Sequence, residues 1–356
     1  MGSCELTEGM DLTRKRMPSS LSAGKQKGIE AVADSRGIIA ALAIDQRSAL
    51  RNLFARAMGV EAASVPAENL TQFKEAVSSL LTPHASAILL DPEHGLPAAR
   101  KRASGTGLLL AYEQTGYDKS VHGRLPRLLD HWSVRRLVDS GASAVKLLLY
   151  YSNHSSVEIN DFKYAFVEKV GEECAAADVP FFLELVSYAE GMEDKSAEFA
   201  RNKHEVVAAG MKEFSQPRYR VDVLKVGMPV NLSFVEGSPS AGEEILLTRE
   251  EAKQYFRHAS TFASIPFIYL SEGVSNAAFQ FGLELASEAG AKFSGVLCGR
   301  ATWKDGVEIL VKNGPHALED WLGSEGVRNI ENVNSSLGSA TPWFAASGVS
   351  AGDKVR

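Results

Sequence analysis

Cysteine is scarce in this chain. Three occur among 356 residues (Cys4, Cys174 and Cys298), an odd number, scattered and without a CxxC pair. That spacing excludes a disulfide framework and a cysteine zinc site, and it suits a reducing, cytoplasmic setting. Long hydrophobic runs are missing too. The longest, such as Gly37 to Ile44, are far too short to span a bilayer. No apolar stretch follows the N-terminus, so no secretory signal is visible. Leu6 stands where a myristoylation start needs Ser or Thr. Positive charge is not in surplus either, since the formal net charge is −6. Bulk electrostatics therefore give no case for nucleic acid or an anionic membrane as partner, and an anionic small substrate has to be held by local cations.

What is present is a β/α rhythm. The chain is 45% hydrophobic, enough for one large core. Eight short apolar runs read as strands: 37–44, 87–90, 107–111, 144–150, 179–185, 221–226, 266–270 and 293–298. Helical patterns lie between them, one opened by the capping box Thr248-Arg249-Glu250-Glu251. Eight such units predict a parallel (β/α)8 barrel, α/β in class and a single domain over 31–322. A polar lead-in over 1–30 precedes it, and a polar tail over 323–356 is expected to pack loosely outside. Residues 22–34 are expected to form a short helix closing the bottom. A doubly wound sheet would want a glycine-rich turn after the first strand, and Ile44-Asp45-Gln46-Arg47 has none.

In such a barrel, functional groups gather at the carboxyl ends of the strands. The polar residues at those ends are Asp45, Gln46, Asp91, Glu113, Glu184, Lys225, Ser271 and Arg300. Lys225 interrupts the sixth strand, where alternation puts it on one face with Val223 and leaves Leu224 and Val226 on the other. A buried lysine tends to lose its proton, and a neutral amine can form a Schiff base. Lys146 and Glu184 interrupt the neighbouring strands. If all three point inward, two lysines flank one carboxylate, each ammonium depressing the other's pKa. Glycines and a cation in the last two loops, Ser271-Glu272-Gly273-Val274-Ser275 and Gly299-Arg300, suggest a phosphate grip. His94, alone beside Asp91 and Glu93, reads as a solvated or capping histidine rather than a metal ligand.

The motifs resemble a known family. Ala43-Ile44-Asp45-Gln46-Arg47, Asp91-Pro92-Glu93-His94-Gly95, Tyr112-Glu113-Gln114-Thr115-Gly116-Tyr117, Val145-Lys146-Leu147-Leu148, Glu184-Leu185, Asp222-Val223-Leu224-Lys225-Val226, Leu270-Ser271-Glu272-Gly273-Val274 and Cys298-Gly299-Arg300-Ala301-Thr302-Trp303 are similar to those of the class I tagatose-1,6-bisphosphate aldolases, barrels of the DeoC type. The resemblance implies an aldehyde-lyase that cleaves a ketohexose bisphosphate to dihydroxyacetone phosphate and glyceraldehyde 3-phosphate, with no metal or other cofactor. It implies Lys225 as the Schiff-base lysine, Glu184 as the proton-transfer carboxylate and Lys146 beside it. Asp45, Gln46 and Arg47 would lie in the substrate cleft, and Ser271, Gly273, Gly299 and Arg300 would bind phosphate. The implied partner is a small phosphorylated ketose, with self-association left open. Related members cleave sulfofructose phosphate or fructose bisphosphate. Two departures bear on the sugar: Gly227 stands where the family usually carries Glu, and a serine-rich insert spans Gly237 to Gly242. Two other classes compete: a metal-dependent barrel enzyme, and a non-catalytic sugar-phosphate sensor on the same fold.

Overall fold

The computed structural model describes residues 21–115 and 121–346. The Arg14-Lys15-Arg16 lead-in, Cys4, Gly116, Tyr117 and the last ten residues lie outside that range. The strands are β1 (Ile39–Ala43), β2 (Ala87–Leu90), β3 (Gly107–Ala111), β4 (Ala144–Tyr151), β5 (Phe181–Ser187), β6 (Val223–Val226), β7 (Phe267–Leu270) and β8 (Gly295–Cys298). All pair in parallel, and β8 closes on β1. Helices lead from strand to strand. After α1 (Ala23–Val32), they are α2 (Ser48–Met58), α3 (Ala67–Leu81), α4 (Leu96–Lys101), α5 (Val134–Asp139), α6 (Val157–Ala176), α7 (Ala197–Phe214), α8 (Arg249–Ser260) and α9 (Asn276–Glu288). The chain ends in α10 (Arg300–Trp303), α11 (Gly306–Asn313), α12 (Pro315–Trp321), α13 (Val327–Ser335) and α14 (Trp343–Ala346). The Thr248 capping box forms as expected, its hydroxyl accepting from the Glu251 N–H and the Glu251 carboxylate from the Thr248 N–H.

Strand alternation sorts the core into two layers. Ala41, Leu89, Ala111, Phe182, Val223 and Ile268 fill the barrel interior. Leu42, Leu90, Leu147, Leu183, Leu224 and Val226 face the helices. Burying each of the leucines, valines, isoleucine and phenylalanine among them is worth about 1.5–3 kcal/mol, so the barrel is a packed core and only its two ends are open to chemistry. The lower end is shut by α1, whose Ile29 and Val32 join the interior layer. Gly28 lets it come close, since a Cβ there would stand 2.4 Å from the Ser143 carbonyl. Lys25 of α1 also donates to Asp222 at 2.7 Å, and Asp222 in turn accepts from the Phe181 N–H at 2.8 Å. That second bond takes Asp222 to the foot of β5, and β6 begins at Val223 rather than Val221.

The segment from Gly323 departs from the expectation of loose packing. Ile330, Val333 and Leu337 are buried. They recur at helical spacing, so one face of α13 and the turn after it packs inward. Trp343 belongs to the interior layer at the barrel bottom, and its N–H donates to the Gly37 carbonyl at 3.0 Å. The apolar positions were too few among polar ones to stand out in the sequence. Among the described residues, no helix is long and apolar enough to cross a membrane.

Candidate active site

The upper end of the barrel holds a cleft of about 610 Å³, walled by the carboxyl ends of the strands and the loops after them. Its floor is charged. The β5–β6 register sets Glu184 directly opposite Lys225, and Lys225 Nζ donates to Glu184 Oε2 at 2.8 Å. Lys146 pairs in register with Phe182, two residues before Glu184. Its long side chain rises from there, and its Nζ lies 2.8 Å from the same Glu184 Oε2. The two lysines therefore flank one carboxylate.

Their surroundings differ. Lys146 Nζ also donates to Asp45 Oδ2 at 2.9 Å and to Glu113 Oε1 at 2.7 Å. Three carboxylates from three strands converge on one ammonium. Burial by itself would drive the Lys146 pKa down, but Asp45, Glu113 and Glu184 together carry it well above the ordinary lysine value. The expected mutual depression of the two lysines thus does not occur at Lys146, where three anions outweigh one neighbouring cation. Burial would raise the Asp45 carboxyl, yet Lys146 and then Lys225 hold it well below the usual carboxylate range. Glu184 follows the same pattern: burial is outweighed by Lys146 and Lys225, and its carboxyl is lowered. The Lys146 ammonium occupies the point a cation would take among these oxygens. Among the described residues no group of three or more His, Cys, Asp or Glu is arranged to hold a metal ion.

The residues at the β1 end differ in how they are engaged. Gln46 Nε2 donates to Asp45 Oδ1 at 3.1 Å, while its buried Oε1 has no hydrogen-bond partner. Gln46 is among the residues that line the cleft, and this acceptor is a buried polar atom left unmatched beside it. Arg47, expected as a substrate contact, also lines the cleft, but both terminal nitrogens of its guanidinium are engaged, leaving only a buried Nε without a partner. It donates to Glu93 Oε2 at 2.6 Å and to the Glu113 carbonyl at 2.7 Å, so it braces the β1 and β3 ends. Glu113 is fixed from three sides, because its Oε2 also accepts from the Leu148 N–H at 3.1 Å. Asp91 is drawn away from the cleft by a buried ion pair with Lys74 of α3. Its other oxygen caps the His94 N–H at 2.8 Å, and burial lowers the His94 imidazole pKa.

The β7 and β8 ends meet at the opposite wall. Gly273 has φ 78° and lies flush against Arg300, since a Cβ there would stand 2.7 Å from the guanidinium carbon. Only glycine admits both the backbone angle and the contact. Among the described residues no acid pairs with Arg300, and the Glu272 and Gly273 N–H groups donate to no acceptor. Ser271 lines the cleft beside them. Gly299 carries the chain from β8 into α10 close to Gln46, whose Nε2 would be 3.4 Å from a Cβ at Gly299. The Cys298 thiol is buried and pushed up to about 12, which removes it as a nucleophile. Several cleft residues were not named from the sequence, Lys203 among them, whereas the serine-rich insert was expected to bear on the cleft. Lys203 of α7 donates to Glu272 Oε2 at 2.7 Å, and the Glu272 carboxylate fills the space above Gly227. Ser240, from the serine-rich insert, reaches the cleft wall. Glu113 was visible as a strand-end acid, but nothing in the sequence tied it to Lys146.

Comparison with known proteins bears on this cleft. The profile of the DeoC/LacD family aldolases matches residues 39–305. A tagatose 1,6-diphosphate aldolase 2 from Enterococcus faecalis is 52% identical over 328 residues, spanning 92% of this chain and 97% of the relative. A tagatose 1,6-diphosphate aldolase from Listeria monocytogenes is 44% identical, over 92% of this chain and 96% of its own length. Among solved structures, fructose-bisphosphate aldolase from Plasmodium falciparum superposes with a TM-score of 0.64 at 14% identity, covering 91% of this chain and 98% of that one. At that identity the likeness concerns the barrel alone.

Proposed function

The chain belongs to the DeoC/LacD family of aldolases, and from that premise we propose that it is a class I aldolase cleaving tagatose 1,6-bisphosphate to dihydroxyacetone phosphate and glyceraldehyde 3-phosphate. The observation that carries the lysine assignment is the asymmetry at Glu184. Lys146 is held by three carboxylates and kept charged, whereas Lys225 meets the one it shares. An ammonium with no free electron pair cannot attack a carbonyl. Lys225, with one shared carboxylate to take its proton, is the nucleophile in this reading, and Lys146 the fixed charge that keeps Glu184 ionised as a proton acceptor.

Neutral Lys225 adds through Nζ to the C2 ketone, and loss of water leaves a protonated imine. A base takes the C4 hydroxyl proton, the C3–C4 bond breaks, and its electron pair enters the imine to give an enamine. Glyceraldehyde 3-phosphate departs as the aldehyde. Protonation at C3 and addition of water then free dihydroxyacetone phosphate and the lysine. Glu184, 2.8 Å from Lys225, is placed to take and return protons directly or through one water. Gln46 and Asp45 serve sugar hydroxyls. Arg300, Ser271, Gly273 and Gly299 hold the phosphate on the dihydroxyacetone end, a charge-assisted contact in a partly dry corner. The imine acts as the electron sink, so the reading needs no metal.

The test is a retro-aldol assay on tagatose, fructose and sulfofructose phosphates in parallel, before and after exhaustive dialysis against EDTA. Turnover highest with tagatose 1,6-bisphosphate and indifferent to chelator is expected. Preference for the sulfonated sugar would move the substrate assignment. Activity lost to EDTA and restored by zinc would replace the imine mechanism, and binding without turnover would leave a sensor.

A further inference from the structure

The loop after β7 holds a device that the lysine chemistry leaves unused. Glu272 has φ 47°, in the left-handed region that a residue with a side chain enters at a cost, and Gly273 follows at φ 78°. The Glu272 carboxylate turns away from its own loop towards the end of β6. There its Oε2 accepts from Lys203 Nζ at 2.7 Å, and Lys203, nearly buried on α7, also donates to the Val230 carbonyl at 3.4 Å. The carboxylate has room because residue 227 is glycine: a Cβ at that position would lie 2.5 Å from Glu272 Oε1. On the other side of the same turn, Gly273 presses its bare backbone against the Arg300 guanidinium. One turn thus sends a side chain to α7 and sets its backbone, whose two N–H groups meet no acceptor among the described residues, beside the Arg300 guanidinium.

We propose that the Lys203–Glu272 ion pair, seated over Gly227, is a latch that holds the β7 loop in its strained form and thereby sets the affinity of the Arg300 corner for the substrate phosphate. The inference rests on the phosphate reading above. A strained backbone persists only where its surroundings over-determine it. Here the constraint comes from α7 and β6, which belong to neither phosphate loop. Backbone donors must sit within about half an ångström of their productive place, so a loop released from α7 loses its grip even with Arg300 intact. Lys203 and Glu272 both line the cleft, and in this proposal they act as positioning residues, through the loop rather than on the substrate.

The test uses the full chain with Glu272→Gln, Glu272→Gly, Lys203→Met, Gly227→Ala, Glu272→Ala and the double variant Gly227→Ala/Glu272→Ala. KM and kcat are measured on a 1-phosphorylated and an unphosphorylated ketose, together with the inhibition constant of inorganic phosphate and the melting temperature. Each single variant is expected to raise KM for the phosphorylated ketose, and the phosphate inhibition constant, by about 5- to 20-fold. KM should rise more than kcat falls, with little change for the unphosphorylated sugar. Glu272→Gly relieves the backbone strain while cutting the tether, so unchanged phosphate affinity in that variant would overturn the latch. Gly227→Ala acts by displacing the carboxylate and should add nothing once Glu272 is alanine. Additive penalties would overturn the proposal, as would lower melting temperatures with constant KM. A wild-type enzyme that treats phosphorylated and unphosphorylated ketoses alike would instead overturn the phosphate reading beneath it.

Discussion

Lys146 and Lys225 reach the same oxygen, Oε2 of Glu184, each at 2.8 Å, from opposite neighbouring strands. They are not equivalent. Lys146 has two further carboxylates and its partner has none within ion-pair distance among the described residues. This asymmetry is the basis of the proposal that Lys146 is a fixed charge and Lys225 the nucleophile.

The assignment predicts where an imine forms. Incubation with dihydroxyacetone phosphate and borohydride should leave a reduced adduct on the peptide containing Lys225, located by digestion and mass spectrometry. An adduct on the Lys146 peptide would reverse the roles. Lys225→Met should lower kcat by at least about 10⁴-fold while keeping the fold, since methionine suits this apolar strand and Glu184 retains Lys146.

Lys146→Met should still permit trapping but slow cleavage, and it should cost stability. Asp45, Glu113 and Glu184 would then face one another without their shared cation, a loss of about 3–5 kcal/mol at neutral pH. The sign with pH follows from the lowered carboxyls of Asp45 and Glu184. In the wild type their contribution is present above the unfolded carboxylate value, about 4, and is lost as pH falls through the lowered folded one. The gap between wild type and variant should therefore be full above about pH 5 and shrink only as pH falls below about 4 in urea denaturation. A gap independent of pH would mean the three acids are not held by Lys146.

Arg300→Ala should raise KM for a 1-phosphorylated ketose by roughly 10- to 100-fold, because a charge-assisted contact to phosphate is lost. An unphosphorylated ketose should be nearly unaffected. Equal effects on both substrates would make Arg300 a structural residue.

Lys163 offers a check on electrostatics away from the cleft. Its Nζ donates to Tyr188 Oη at 3.0 Å and lies 4.8 Å from the centre of that ring. Burial pushes its pKa down to about 7, with Glu190 opposing and Arg124 adding. The unfolded chain, with a lysine near 10.4, thus binds more protons between the two values, and stability from this group rises as pH rises through that window. Lys163→Met should accordingly stabilise the fold by about 1–3 kcal/mol at pH 7, with the gain fading towards pH 10. Destabilisation at both pH values would show that the amine's bond to Tyr188 outweighs its burial.

The sequence by itself determined the barrel, the order of its strands and the face on which Lys225 lies. Those features rest on short-range patterns: alternation along β6, helical spacing between strands, and polar residues at strand ends. The weak apolar period of Ile330, Val333 and Leu337 lay below what such patterns resolve. Only the tertiary structure decided which charges meet. Asp45 reaches Lys146 across 101 residues of chain and Glu113 reaches it across 33, and both contacts depend on how β1, β3 and β4 curve around a closed barrel. Lys203 finds Glu272 across 69 residues because Gly227 leaves space between them. Periodicity states which way a side chain points. Closure, register and the length of a lysine state what it touches, and here that difference separates a lysine held by three carboxylates from one that meets a single carboxylate.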